Sequence, residues 1–198
     1  MGNEYNKLID TELQEMTKNS ALRDRRIFIN DEIDRNVTFK TSYYLQRLRD
    51  IDNNNKIPMK DRKPITLIIN TYGGFVYEGC GLVSLMEEMV EDGYKIITIC
   101  DSFAMSFGFT ILVCGSERYM RRYATAMCHQ VSSGTQGTIA QQKKQLSESI
   151  RLNDMMMKII MKHTNMTREE IENMINNSED MYMDAETCLK KGIVDKIL

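Results

Sequence analysis

The sequence predicts an α/β fold built around a parallel sheet. Two short apolar runs, ITLIIN at 65–70 and KIITIC at 95–100, have the length and unbroken hydrophobicity of buried parallel strands. Each run is followed by a segment with helical spacing, at 76–93 and 104–115, that ends at a glycine. This alternation is typical of parallel sheets, because parallel strands need a crossover connection.

The sequence before residue 65 predicts a terminal arm and one strand–helix pair. Residues 1–20 are polar and predict a mobile arm or a short helix, while 21–198 have the length of a single domain. The run RRIFIND at 25–31 predicts a short strand, and the apolar spacing over 36–52 predicts a helix. A polar loop at 53–63 then leads to the first buried strand.

The second half of the chain predicts one long helix between shorter elements. Residues 117–130 supply strand material, polar at first and apolar at the end. The helix predicted over 138–164 is mostly polar in its first half and rich in Met and Ile in its second, so one half is expected to leave the core. Three elements are expected after it: a helix at 167–175, a helix at 185–192 capped by Asp184, and a strand at 193–198.

Composition and charge exclude several classes of function. The chain has 26 basic and 28 acidic residues and a net charge of -2, which gives no electrostatic case for nucleic acid. No apolar run reaches the roughly 18 residues of a transmembrane helix. Five cysteines without a CxxC pair predict free thiols in a reducing compartment. Those in apolar runs are predicted to be small core residues: Cys100, Cys114 and Cys128.

Candidate reactive groups lie at the carboxyl ends of three predicted strands, where α/β proteins collect them. The glycine pair at 73–74 lets the backbone approach a ligand and turn its amides toward it. Ser106 falls near the first turn of a helix, where unpaired amides can stabilise an oxyanion. His129 ends the next strand, and these positions predict a serine nucleophile with a histidine base.

The chain has only two histidines to serve as that base. His163 comes at the end of the long helix, where a structural role at the negative end of the helix dipole is predicted. His129 is therefore the candidate base. On these residues alone, a helix serine bonded to its own backbone and a satisfied core histidine remain alternatives.

Three segments in order resemble the proteolytic subunits of the Clp protease, the ClpP family: IINTYGG at 68–74, the run at 95–115 around Ser106, and MCHQVSSGTQG at 127–137. The likeness runs from about Leu22 to Leu198. It implies a ClpP/crotonase-like spiral of repeated ββα units with a protruding handle helix, the handle segment being about 131–163. Residues 1–20 would correspond to the family's axial loop.

The resemblance also implies roles for single residues. Ser106 matches the family's nucleophile and His129 its general base, while Gly74 and the amide of Phe107 match the oxyanion hole. Tyr72 stands where the family has a proline, before the glycine pair. The resemblance therefore implies Ser-His-Asp chemistry with a backbone oxyanion hole.

The family's catalytic aspartate is harder to match. Counting back from Gly192 reaches Asp180, whereas counting forward from the long helix reaches Ser178, which implies an insertion of about two residues in NNSE at 176–179, before the aspartate. Asp180 is the assigned acid and Glu179 is the second choice. Asp184 is better explained as a helix cap.

As a member of this family, the chain would be a serine endopeptidase of unfolded proteins, without metal or cofactor, in the cytoplasm. It would form heptameric rings, paired into a double ring that encloses the sites. A separate AAA+ unfoldase of the ClpX, ClpA or ClpC type would feed the chamber, because the chain has no Walker-A glycine pattern. The segment VSSGTQGT at 131–138 is the candidate edge for pairing with extended substrate.

Other interpretations stay open at this stage. A crotonase-fold acyl-CoA enzyme shares the spiral unit and the paired amide donors but relies on carboxylates. A non-catalytic scaffold subunit of a mixed ring would keep the fold without the activity. Within the peptidase interpretation, a phage-type protease that matures capsid proteins is an alternative to general protein degradation.

Overall fold

The computed structural model describes the backbone of residues 2–176 and 180–198, and the side chains of 12–173 and 180–198. Its strands form one seven-stranded sheet: β1 (Arg26–Ile29), β2 (Ile65–Thr71), β3 (Ile96–Met105), β4 (Glu117–Met120), β5 (Thr125–Cys128), β6 (Met181–Met183) and β7 (Lys196–Ile197). Its α-helices are α1 (Gly2–Leu22), α2 (Arg35–Asn54), α3 (Val76–Glu91), α4 (Phe107–Val113), α5 (Ile139–His163), α6 (Arg168–Asn176) and α7 (Ala185–Lys190). A 3₁₀ turn at Met59–Asp61 lies in the polar loop. The predicted α/β class with a parallel sheet is confirmed.

The sheet branches at β3, and this branching positions the candidate site. Its main path runs β1-β2-β3-β4-β7, with every pair parallel. The first half of β3 pairs with β4, and its last three residues pair in parallel with β5. Because Met105 lies opposite Met127, the residues that follow the two strands leave the sheet side by side. Ser106 and His129 are among them.

The boundaries of β3 and α4 differ from the prediction. A strand at 95–100 and a helix from 104 were expected, but β3 continues to Met105 and α4 begins at Phe107. The Ser106 amide donates to the Met127 carbonyl at 2.9 Å, so the backbone remains part of the sheet up to the serine. Pairing with β5 thus makes residues 104 and 105, which were expected to begin the helix, part of the strand.

Two other strand predictions needed correction. The strand material at 117–130 forms two strands, β4 and β5, because the chain turns at 121–124, where the Ala124 amide donates to the Arg121 carbonyl at 3.0 Å. The three-residue β6 was not predicted, since a strand that short carries no measurable periodicity. Residues 2–22 form the continuous helix α1 rather than a mobile arm or a short helix.

The core and the helix caps follow the sequence pattern. The predicted core cysteines Cys100, Cys114 and Cys128 are buried, and all five cysteines of the chain are free thiols. Asp184 caps α7 by accepting from the Thr187 amide at 2.8 Å. The first half of α5 is exposed, while its second half packs Leu152, Met156 and Ile160 into the protein. Among the described helices, none combines the length and apolarity that a membrane crossing requires.

Candidate active site

The structure brings together the three side chains predicted to form a triad. The Ser106 hydroxyl lies 2.8 Å from Nε2 of His129, within hydrogen-bonding distance. On the other side of the ring, Nδ1 of His129 lies 3.3 Å from Oδ1 of Asp180. This chain of hydroxyl, imidazole and carboxylate can move a proton from the serine to the histidine and stabilise the resulting imidazolium.

Ser106 is held in a conformation that non-glycine residues seldom adopt. Its φ is 51° and its ψ is -119°, at the position immediately before α4. Such a backbone costs about 1–3 kcal/mol and persists only where the surroundings impose it. Here the amide of Ser106 is bound by β5, and its carbonyl accepts from the Phe109 amide at 3.1 Å. The strand and the helix together therefore force the sharp turn that places the hydroxyl beside His129.

Asp180 reaches His129 because β6 pairs antiparallel with β5. In this register Cys128 lies opposite Met181, so the residue after Cys128 lies beside the residue before Met181. The Asp180 side chain is about half exposed, at 48%, so solvent screens its charge. The contact consequently serves more to orient the imidazole than to supply a large electrostatic energy. Glu179, the second choice for the acid, and Ser178 lie outside the described residues.

The glycine turn after β2 is fixed by backbone bonds to the loop before α2. Gly73 and Gly74 have φ values of 102° and 153°, which residues other than glycine rarely adopt. The Gly73 carbonyl accepts from the Ile33 amide at 2.7 Å, and the Phe75 amide donates to the Ile33 carbonyl at 2.8 Å. Ile33 and Gly74 thus form an isolated parallel β-bridge, in which the amide of Gly74 points away from Ile33.

The two predicted oxyanion donors border the same space as the serine. Gly74 and Phe107 line one cavity with Ser106 and His129. Among the described residues, no protein acceptor is bonded to the Gly74 or Phe107 amide. Thr71, which sequence reasoning missed, supports the turn, because its hydroxyl accepts from the Gly73 amide at 3.1 Å and donates to the Asp31 carbonyl at 2.6 Å. The arrangement can place two amides near a developing negative charge.

The cavity beside Ser106 has a volume of about 250 Å³ and a wall that is partly apolar. Val76 from α3 and Met156 and Ile160 from α5 line it together with the backbone after His129. A cavity of this kind can hold an apolar side chain next to the serine. Burial raises the pKa of the neighbouring Cys128 thiol to about 12, so this thiol stays protonated near neutral pH and is a poor competing nucleophile.

An aromatic pair that the sequence analysis did not identify joins the two turns of the site. The rings of Tyr72 and Phe103 are tilted against each other, with their centroids 4.3 Å apart. Tyr72 lies between the end of β2 and the glycine pair, and Phe103 lies on β3, three residues before Ser106. The stack therefore braces the glycine turn against the serine turn, in place of the rigidity that a proline at position 72 would give.

His163 lies apart from this site, in the structural environment that the sequence predicted. Its Nε2 is 2.7 Å from Oε1 of Glu87 on α3, and the Lys162 ammonium is 2.8 Å from the same oxygen. Burial opposes ionisation of Glu87, but the hydrogen bonds from Lys162 and His163 outweigh it and hold the pKa of Glu87 below its usual value. These contacts tie the end of α5 to α3.

Two glycines of α3 give a matched test of the packing under the site. A Cβ on Gly79 would lie 2.1 Å from the Phe107 ring, whereas a Cβ on Gly81 would meet nothing within 4 Å. Gly79→Ala must therefore displace Phe107, whose amide is a predicted oxyanion donor. We expect its kcat for peptide hydrolysis to fall about a hundredfold, because small misplacements of reacting groups have effects of that size.

The control, Gly81→Ala, is expected to keep kcat within about twofold and to raise stability by up to about 1 kcal/mol, since alanine is the better helix former. Steady-state kinetics and thermal melting of both variants measure the difference. Equal activities of the two variants would show that the position of Phe107 does not matter for the reaction.

Comparison with known proteins gives one consistent family. The family model described as Clp protease matches residues 10–198. A protein from Porphyromonas gingivalis named "ATP-dependent Clp protease proteolytic subunit" is 30% identical over 179 residues, which cover 89% of this chain and 75% of that protein. Proteins of the same name from two strains of Dehalococcoides mccartyi are 29% identical over 179 residues, covering 89% of this chain and 83% of each relative. The family match includes every residue of the site described above.

Proposed function

Because this chain belongs to the Clp protease family, we propose that it is a serine endopeptidase that cleaves unfolded polypeptides with Ser106, His129 and Asp180. The observation that carries the proposal is the 2.8 Å contact between the Ser106 hydroxyl and Nε2 of His129, made at a turn that two strands and a helix hold. The alternative interpretations, a core histidine whose ring nitrogens are hydrogen-bonded elsewhere and a helix serine bonded to its own backbone, would not need this contact.

In the proposed reaction, Ser106 attacks the peptide carbonyl while Nε2 of His129 takes its proton. The amides of Gly74 and Phe107 donate to the oxyanion of the tetrahedral intermediate. Asp180 holds the imidazole in the tautomer that accepts at Nε2 and stabilises its charged form. His129 then protonates the leaving amine, and a water activated by His129 hydrolyses the acyl-enzyme, which restores the serine.

We also propose the assembly and partners that the family implies. Two heptameric rings would enclose the sites in a chamber, with the α5 region, residues 131–163, as the handle between rings and residues 1–20 as an axial segment. A separate AAA+ unfoldase would supply unfolded chains, in keeping with the name of the relatives, which describes an ATP-dependent protease. The five free cysteines support a reducing location, the cytoplasm.

Hydrolysis of a short fluorogenic peptide by the full chain, with and without a fluorophosphonate, tests this proposal. We expect hydrolysis that the fluorophosphonate abolishes, together with a native mass of many subunits. A chain that cleaves no peptide, is not modified by the reagent and binds acyl-CoA esters would instead support a crotonase-like enzyme. A chain without activity that joins an active partner in a mixed ring would support a scaffold subunit.

A further inference from the structure

Residues 131–136, which follow the His129–Gln130 pair, are bonded to α5 through a row of polar side chains. The proposed chemistry does not use these contacts. The Val131 amide donates to Oδ1 of Asn153 at 3.0 Å. The hydroxyl of Ser133 lies 2.8 Å from that of Ser149, and the Gln136 amide donates to Oε1 of Gln145 at 3.3 Å. The helix side of this row, here called the polar stripe, consists of Gln145, Ser149 and Asn153.

The geometry of the polar stripe fits an extended segment that runs antiparallel to the helix. Its members are spaced by four residues, so they lie on one face of α5. Four helical residues rise about 6 Å, and two extended residues span about 6.6 Å. The steps from Asn153 to Ser149 and from Val131 to Ser133 therefore match in length. A helix with this spacing can hold residues 131–133 along its side in an extended conformation.

The bond from the Val131 amide to Asn153 occupies one edge of the segment next to the site, and in an extended chain the backbone groups of residue 132 point to the opposite edge. Residues 132–136 are exposed, and among the described residues no protein group is bonded to the backbone amides at 132–135. The segment begins immediately after the His129–Gln130 pair and borders the cavity beside Ser106. An extended peptide that pairs with this edge would thus run past the serine hydroxyl.

The polar stripe also continues into the wall of that cavity. Met156 and Ile160 follow Asn153 by three and seven positions, so they share its face of the helix, and both line the cavity. One face of α5 therefore contacts residues 131–133 with its polar part and lines the cavity beside Ser106 with its apolar part. A shift of the helix would move both together.

We infer that Asn153, assisted by Ser149, is a positioning residue that holds residues 131–133 as a ready-made backbone edge for an extended peptide substrate. The inference rests on the proposed endopeptidase function and on the candidate substrate edge at 131–138, and it adds which side chains hold that edge in place. Asn153 is the main anchor because its bond is half-buried and lies nearest to His129, whereas the contact of Ser149 is more exposed. Because this edge is already ordered in the free protein, peptide binding does not have to offset the entropy that would be lost on ordering the edge.

The test compares variants of the full chain that change one contact each. Asn153→Leu removes the acceptor at nearly constant size, and Asn153→Asp keeps an acceptor. Ser149→Ala and Ser147→Ala form a matched pair, because both serines donate to the carbonyl four residues earlier at 3.0 Å and only Ser149 also reaches Ser133.

For Asn153→Leu we expect KM for a peptide of about ten residues to rise about tenfold, which corresponds to one lost hydrogen bond to a half-buried amide. The rate of modification by a small fluorophosphonate should change less than about twofold, because the reagent does not need the edge. Asn153→Asp should have a KM close to that of the wild type, because it keeps an acceptor for the Val131 amide. Ser149→Ala should raise KM about threefold, and Ser147→Ala should leave it unchanged.

Equal KM values for wild type and Asn153→Leu would overturn the inference. A rise in KM that is matched by an equal fall in the rate of fluorophosphonate modification would also overturn it, because that result indicates general disruption of the site. If Asn153→Leu does not fold, the Ser149 and Ser147 pair decides the question. Binding of the same peptide, labelled with fluorescein, to Ser106→Ala with and without Asn153→Leu gives a readout without catalysis. Failure of the proposed function would appear separately, as wild-type protein that the fluorophosphonate does not modify.

Discussion

Replacing Ser106 with alanine is expected to lower kcat/KM for a short fluorogenic peptide by about 10⁴-fold or more, because the attacking oxygen is lost. The residual rate would come from binding and from the amides of Gly74 and Phe107, which remain in place. The substitution removes one hydroxyl at an existing turn, so the fold should persist. Peptide hydrolysis under pseudo-first-order conditions measures the loss.

Ser102 provides the matched control for this substitution. It lies on β3, four residues before Ser106, and it is exposed. Ser102→Ala is expected to hydrolyse the peptide at the wild-type rate. A Ser106→Ala protein that retains more than about a hundredth of the wild-type rate would exclude this serine as the nucleophile.

Replacing His129 with alanine is expected to have an effect of similar size, about 10⁴-fold in kcat/KM, because no other described side chain can take the proton from Ser106. The two residues act as a unit, so the double variant should lose little more than either single variant. Kinetics of the single variants and of the double variant test this coupling.

His163, the second histidine of the chain, is the natural control for His129. At the end of α5, its Nε2 lies 2.7 Å from Oε1 of Glu87 on α3. His163→Ala should hydrolyse peptide normally and melt at a lower temperature, because Glu87 loses one of its hydrogen-bond donors. Equal losses of activity in the two histidine variants would contradict the assignment of His129 as the base.

The sequence was sufficient for the fold class and for the meeting of Ser106 with His129. Both residues follow apolar strands, and strands that pair in parallel end at the same edge of a sheet. The exact turn at Ser106 could not be predicted, because the spacing assigned residues 104 and 105 to the helix, whereas Ala104 pairs with β2 and β5 and Met105 pairs with β5. A tertiary contact overrides the local preference there.

The position of Asp180 shows where counting along the chain reaches its limit. Two counts gave two different residues, and the antiparallel pairing of Cys128 with Met181 places Asp180 beside the imidazole. The contacts of Gly79 with Phe107 and of Asn153 with Val131 join segments that are distant in the sequence. Neither contact has a local pattern, so only the folded chain reveals them.

The nucleophilic character of Ser106 is tested most directly by locating a fluorophosphonate adduct on the intact chain by mass spectrometry. Trypsin should release residues 96–118 as one peptide, which holds Ser102, Ser106 and Ser116 and so contains its own controls. We predict one adduct per chain, on Ser106, which is lost when His129 is replaced by alanine. Absence of the adduct in the wild-type chain, or an adduct on Ser102 or Ser116, would contradict the proposed mechanism.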